Sequence, residues 1–464
     1  MKSTTSVHPE YAKRLQQRKL VKAAVSETGV KDAKETYLPN PNTRDQEGNQ
    51  RYANYLQRAT YYNFTSPTIN GWIGLAFRSG TTYEPNAQME YTQTNINGDG
   101  IGVDQQARAL TRDVLEGGKG GILVDYPMVD GAMSDQDREA NSIMATALLF
   151  DSLQILDWST RKIGANNVLD MVKLEEVVYV QDDSGSTVEE IWCRVLRLDD
   201  DGIYTVTMEK DGVTMGIPGA DIEVYRPMQN GQPMRHIPFH FCGSVNNDWN
   251  DDYIPAFAIA DINIHHYVNS ADYEDSVFHM QPQYVAIGLT QDWLDANLSG
   301  FSIGSGDLMA LGQDMDAKLL QPSPNTLAME GMKHKEQIMI SLGAKLINSD
   351  LSFNTATEAL ISTSAENSRL QTIIENVQQC MNAVLMEMAA FNGTEAQEFT
   401  IDTDLSKLTA DPQLLQQMIL AWTQGLISAQ DARDYMRSVN AIERTEEEIE
   451  GDLDQPNAGL DLDG

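Results

Sequence analysis

The chain has 464 residues, enough for two to four domains, and its 41% hydrophobic and 22% charged residues match an ordinary globular protein. Thirty-three Lys and Arg face 68 Asp and Glu, a formal charge of −35 that excludes broad electrostatic wrapping of nucleic acid. With no apolar leader, no run of 18 apolar residues, and Cys193, Cys242 and Cys380 far apart, the expectation is a soluble, cytosol-made protein with reduced, buried thiols.

The first predicted helix runs from Pro9 to about Val25, with proline at its start and Gly29 beyond its end. It belongs to a basic arm: residues 1–60 hold eleven Lys and Arg against six acids. That arm reads either as a solvated helix face or as a docking surface for an acidic neighbour. The stretch YLPNPNTRDQEGN is loop, and helical pattern resumes through RYANYLQRATYYNF until Pro67 interrupts it. An apolar segment, INGWIGLAFRSG, ends at Ser79-Gly80. Residues 102–116 form an amphipathic helix with Val103, Ala107, Leu110 and Val114 on one face, feeding a strand at Ile122, Leu123 and Val124.

Residues 140–152 read as another helix. From Val168 to Phe241 the pattern alternates as strands, with DDSG and DDDG at turns, giving one antiparallel sheet that ends in IPFHFCGS. Helices followed by a sheet make an α+β unit. Pro255 then opens a helix to about Met280, marked by Ala258, Ile259, Ile262, His266, Val268 and Tyr273. YVAIGL is a strand, FSIGSGDLMALG holds two short strands around a glycine-rich turn, and Pro322 and Pro324 close this insert. A helix from Thr326 to about Ile347, a loop Asn348–Asn354 and a long helix to Asn392 follow. Thr355 and Glu358 form its capping box. Leu370, Ile373, Ile374, Val377, Met381, Val384, Leu385 and Met388 keep the helical period, and Gly393 stops it. At 1.5 Å per residue it spans roughly 55 Å. A final helix pair starts at Pro412 and Ser428, and an acidic tail frays from about Gly451.

None of the chemical motifs is complete. GGKGGILVD lacks the spacing of a phosphate loop, and its glycines precede a strand rather than a helix, so it reads as a tight turn. His265 and His266, with Asp261 one turn before His265, supply part of a metal site that nothing nearby completes. Asp125 and Asp130 are a chance carboxylate pair in so acidic a chain, and no hydrolase or kinase motif occurs. The helix pair 414–439 has the outline of a helix-turn-helix, but Asp431 and Asp434 offset Arg433 and Arg437. The expectation is a protein with no catalytic residues, no metal and no cofactor.

In its order of segments the chain resembles the portal proteins of tailed bacteriophages, in a branch first catalogued as a domain of unknown function. The segments are HPEYAKR with YLPNP, YLQRATYYNFTSPTINGWIGLAFR, GGKGGILVDYP, LDWSTRKIGANNVLDMVKLEE, IPFHFCG, DINIHHYVNSADYEDSVFHMQPQYVAIGL, TATEALISTSAENSRLQTIIENVQQCMNAVL and GLISAQDARDYM, spanning about residues 8–450. No single piece is diagnostic; their order is what is specific.

The resemblance implies a portal fold: a wing at 1–254, a first stem helix at 255–281, a clip at 282–324 and a second stem helix at 325–347. It further implies a tunnel loop at 348–355, a long wing helix at 356–393, a crown at 394–450 and an acidic tail at 451–464. Twelve subunits would close a ring at one capsid vertex of the virion, made in the bacterial host cytoplasm. Double-stranded DNA would pass through it non-specifically during packaging and ejection. Partners would be the large packaging ATPase (terminase), a head-tail adaptor, and the major capsid and scaffolding proteins, without a membrane. Channel candidates are Asn348, Ser349, Asp350, Ser352, Asn354, Lys333, Lys335 and Lys345. Clip docking candidates are Trp293, Phe301, Asp307 and Asp314. Asp350, Asp261, Asp272, Glu274 and Asp275 would supply an acidic wall that repels the duplex, where bound phosphates would create friction. The alternative is a head-tail connector, or another virion ring that never meets the motor.

Overall fold

Helix α1 (Pro9–Val25) begins where proline is tolerated, at a position whose N–H has no partner within the helix, and His8 Nδ1 accepts from the Glu10 amide. The protein is described by a computed structural model over residues 7–41, 48–127, 143–181, 184–217, 222–229, 231–279, 283–287, 292, 316–320, 326–343 and 356–402. After the short α2 (Gly29–Asp32) come α3 (Gly48–Arg58), α4 (Thr65–Ala76), the short strand β1 (Thr81–Thr82) and α5 (Thr92–Asn95). The helical pattern through residues 51–64 therefore breaks at Ala59, earlier than expected. Pro67 does not interrupt a helix; it sits in the first turn of α4, where its missing donor costs nothing. Helix α6 (Val103–Gly117) buries Val103, Ala107, Leu110 and Val114 as its periodicity predicts.

Gly118 ends α6 in the left-handed conformation, φ 75°, and a Cβ there would lie 2.7 Å from the Tyr253 carbonyl oxygen. The glycine run is thus the tight helix–strand turn expected, and it leads into β2 (Lys119–Asp125). Residues 146–151 are a strand, β3, where a helix was expected. The helical periodicity of this short apolar run loses to pairing: β3 lies antiparallel to β2, with Leu149 opposite Ile122. Asp151 Oδ1 then turns the chain by accepting from the Leu153 and Gln154 amides.

The expected single sheet is two. Strands β4 (Ile155–Ile163), β5 (Asn166–Gln181), β6 (Thr187–Leu198), β7 (Tyr204–Lys210) and β8 (Val213–Met215) form an antiparallel meander, with β9 (Val224–Tyr225) also on β7. β10 (Met228–Gln229) and β11 (Gln232–Pro233) form a small hairpin. β12 (Phe239–Gly243) leaves the meander and pairs with β2, so β2 is central in a second sheet ordered β12-β2-β3. Gly121 permits this, since a Cβ there would lie 2.3 Å from the Phe239 ring.

Beyond β12 lie α7 (Phe257–His279), a strand pair β13 (Gln283–Ile287) and β14 (Asp316–Leu320), α8 (Leu327–Leu342), α9 (Ala356–Asn392) and β15 (Thr400–Ile401), which pairs with β1. Helix α8 stops at Leu342, short of Ile347, because Gly343 takes φ 156° against the Trp72 ring. Helix α9 lies across β12, β2 and α6 and buries all eight apolar residues named for it above. Its Glu387 accepts from the Tyr126 hydroxyl at 2.9 Å and lies 2.9 Å from His236 Nε2.

One cation of the basic arm is turned inward, while Lys13, Lys19, Lys22, Lys34 and Arg51 stay exposed. Arg18 is 2% exposed; its Nη2 lies 2.9 Å from Asp251 Oδ1 and its Nε donates to the Gly117 carbonyl. Lys119, equally buried, sits 3.7 Å from the same Asp251 oxygen, over the Trp158 and Phe241 rings, and donates to the Trp249 carbonyl. Burial lowers its pKa to about 8, with Asp251 opposing. Lys22 pairs with Asp151 at 3.2 Å, and Arg58 reaches Asp275. Arg18, Lys22 and Arg58 of the arm thus pair within the chain.

Candidate functional site

The region the sequence singled out is built on an antiparallel helix pair. Gly331 of α8 lies against Asn269 of α7, Glu336 against His266, and Gly343 against Ile259, so α8 runs back along α7. The antiparallel strands β13 and β14 continue the chain at the far end, Gln283 opposite Leu320 and Ile287 opposite Asp316. A 23-residue helix gives about 35 Å of rod.

Asn263 anchors α7 to the rest of the molecule. Its buried Oδ1 accepts from the backbone amides of Phe64 (3.0 Å) and Thr65 (3.2 Å) and from the hydroxyls of Thr65 and Tyr61. Its Nδ2 donates to the Tyr62 carbonyl. Phe64 cannot cap α4 with its own side chain, so α7 supplies the acceptor that the α4 N-terminus lacks. Sequence reasoning missed this residue. The available signal was a poor helix former placed among apolar neighbours in a strong helix.

His266 is fully buried beneath α8. Its Nε2 lies 3.2 Å from Glu336 Oε1, Tyr62 and Phe64 meet it edge-on at 5.6 Å, and its Nδ1 has no hydrogen-bond partner among the described residues. Burial lowers its pKa, and Glu336 works against that shift. His265, the neighbouring residue, is exposed. The two imidazoles diverge, and among the described residues no cluster could hold a metal ion.

Of the channel candidates, Lys333 is exposed and Lys335 half-buried beside Gly331. Glu330, Lys333, His334, Gln337 and Ser341 form a polar stripe along the outer face of α8. Asn348, Ser349, Asp350, Ser352, Asn354 and Lys345 lie outside the described residues, as do Trp293, Phe301, Asp307 and Asp314 and everything from residue 403 onward. Two of the proposed wall acids are committed elsewhere. Asp272 accepts from the Tyr55 hydroxyl at 2.7 Å and Asp275 from Arg58 at 2.8 Å, both from α3. Asp261 and Glu274 remain, half-buried.

The two α8 faces differ. Of its large apolar side chains, Leu327, Met329, Met332, Ile338, Met339, Ile340 and Leu342, Met339 alone is buried. Leu327 is 76% exposed. At the opposite end Leu342 borders an open cleft with Trp72, Tyr253, Leu370 and Ile373. Among the described residues no helix is long and apolar enough to cross a membrane.

A family described as a domain of unknown function (DUF4055) matches residues 255–392, from the start of α7 to the end of α9. No curated protein matches. Solved chains similar to this one include one from the neck of an empty GTA particle computed with C6 symmetry, 13% identical over 89% of this chain and 99% of that one, TM-score 0.39. Another comes from the virion of a native gene transfer agent particle, 14% identical over the same shares, TM-score 0.38. A third comes from the neck of a native GTA particle computed with C12 symmetry, 13% identical over 89% and 99%, TM-score 0.37.

Proposed function

We propose that this chain is one subunit of a closed homo-oligomeric ring, the portal of a tailed-phage-like particle, through which double-stranded DNA passes. The observation that carries the ring is α8, a helix rich in large apolar side chains, of which Met339 alone is buried among the described residues. Such a surface calls for a covering neighbour, and a repeated head-to-tail contact that closes makes a ring. The choice of a portal among rings rests on the segment order read in the sequence.

In this reading α7 and α8 are the stem, the segment between them the clip that meets the packaging ATPase, and α9 the wing helix. Residues 394–450 are the crown. DNA moves through without being gripped, because the acidic chain offers few cations for the counterion release that drives phosphate binding. Lys333 and His334 are the described residues best placed for transient phosphate contact. The ring needs no chemistry of its own.

Electron microscopy of the purified full-length protein tests this. Rings with a central channel are expected, and a monodisperse monomer at all concentrations overturns the proposal. A pull-down with the large packaging ATPase separates a portal from a head-tail connector. Deletion of 285–320 abolishes the contact if that segment is the clip.

A further inference from the structure

Two of the three cysteines meet, although 138 positions separate them. Cys242 lies on β12 opposite Gly120, which has no side chain to cover it. Helix α9 crosses β12 at this point. Asn376 Nδ2 donates to the Gly243 carbonyl at 2.9 Å, and Asn247 Nδ2 donates to the Asn376 carbonyl at 2.8 Å. One turn further along α9, Cys380 Sγ lies 3.8 Å from the His240 carbonyl oxygen. Gly243 and His240 bracket Cys242, so the helix sets Cys380 over it. Both are buried, and Cys193 stands apart on β6 in the other sheet.

We propose that Cys242 and Cys380 are a modification site: hydrogen peroxide oxidises the pair to a disulfide that locks α9 onto β12. In the first step one thiolate attacks a peroxide oxygen, the O–O bond breaks, and a sulfenic acid and water form once protons are exchanged. In the second, the other thiol's sulfur attacks the sulfenic sulfur, the S–O bond breaks, and a second water leaves with the thiol proton. Two thiols lose two electrons in total, and one peroxide gains them. Peroxide suits the site because a larger oxidant could not reach thiols this buried without local opening. Burial also pushes the Cys242 thiol well up, so oxidation is slow near neutrality and accelerates with pH. A reducing cytosol keeps the pair open, and an oxidising exterior closes it.

The location gives the bond its meaning. Everything from 243 to 379, including α7, β13, β14 and α8, lies between the two sulfurs. A disulfide here ties together the two ends of that excursion where they return to the sheet, and long closed loops gain most from such a tie.

The test uses full-length protein freed of reductant and exposed to hydrogen peroxide, then digested without reduction for mass spectrometry. Expected is a peptide pair joined through Cys242 and Cys380, about 2 Da lighter than the two reduced peptides together. Thermal melting rises by roughly 5 °C and a thiol reductant reverses the rise. Cys380→Ser abolishes the rise and Cys193→Ser leaves it. Should Cys380→Ser misfold, the wild-type peptide map decides alone. Sulfenic or sulfinic acid without a joined pair, or a pairing through Cys193, overturns the site; a joined pair with unchanged melting overturns the lock.

Discussion

The clasp around Asp251 and the outer surface of α8 are opposites. In the clasp, two buried cations meet one carboxylate oxygen and two backbone carbonyls within a single chain. Along α8, apolar side chains stay exposed although burial would stabilise the chain by about 1.5–3 kcal/mol for each large one. The first region is finished by its own sequence. Among the described residues, the clasp is closed by partners from its own chain, while α8 leaves the large apolar side chains Leu327, Met329 and Leu342 exposed, without such closure.

The sharpest way to break that contrast is Asp251→Ala. It strands Arg18 and Lys119 as buried, uncompensated charges, and denaturant unfolding is expected to show a loss of about 3–5 kcal/mol. A loss below about 1 kcal/mol would mean that water reaches the clasp and the region is less closed than its geometry implies. Next in size is Asn263→Ala. It removes the acceptor shared by two amides and two hydroxyls at the joint between the regions, and about 2–3 kcal/mol should disappear.

Proton linkage separates the regions by sign. Asp113, crowded by burial and by Asp151 and Glu116, titrates at about 8 in the fold against 3.8 for the free group. The folded state keeps a proton that the unfolded state has lost, so stability falls as pH rises through about 4 to 8. Asp113→Asn should remove that slope, with a gain on the order of 1–2 kcal/mol near pH 7 that vanishes below pH 4. His266 works the other way. It is held neutral by burial, so the α7–α8 contact weakens as pH drops below the ordinary histidine value of 6.5, and melting from pH 8 to 5 in His266→Gln should be flatter than in wild type. The smallest effect on stability should come from Leu327→Ser with Met329→Ser, within about 0.5 kcal/mol because both are exposed. The same variant should lose its rings by electron microscopy. Intact rings with those serines would place the subunit contact elsewhere.

Elements held by local periodicity were legible in the sequence. Helix α6, the apolar residues of α9, Pro9 at the start of α1 and the strands β5 to β7 all follow from patterns of two or 3.6 residues. Features decided by distant pairing were not. Residues 146–151 became a strand because β2 needed an edge partner, and β12 changed sheets because Gly121 made room for Phe239. At the candidate site Lys333 was named and is exposed, whereas Asn263, the His266–Glu336 contact and the meeting of Cys242 with Cys380 depend on residues far apart in sequence. Asp272 and Asp275 looked like free charge because nothing local reveals that Tyr55 and Arg58 will claim them.

The cap that Asn263 provides also has a history in time. Phe64 precedes Asn263 by 199 positions, and at 5–20 residues per second a ribosome needs roughly 10–40 s to cross that gap. Until it does, the first turn of α4 lacks its acceptor and frays. The helix is therefore completed by the arrival of α7, which joins two distant parts of the chain into one cooperative step. Hydrogen exchange at the Phe64 and Thr65 amides becomes a clock for that docking, protected when α7 is seated and open when it is not.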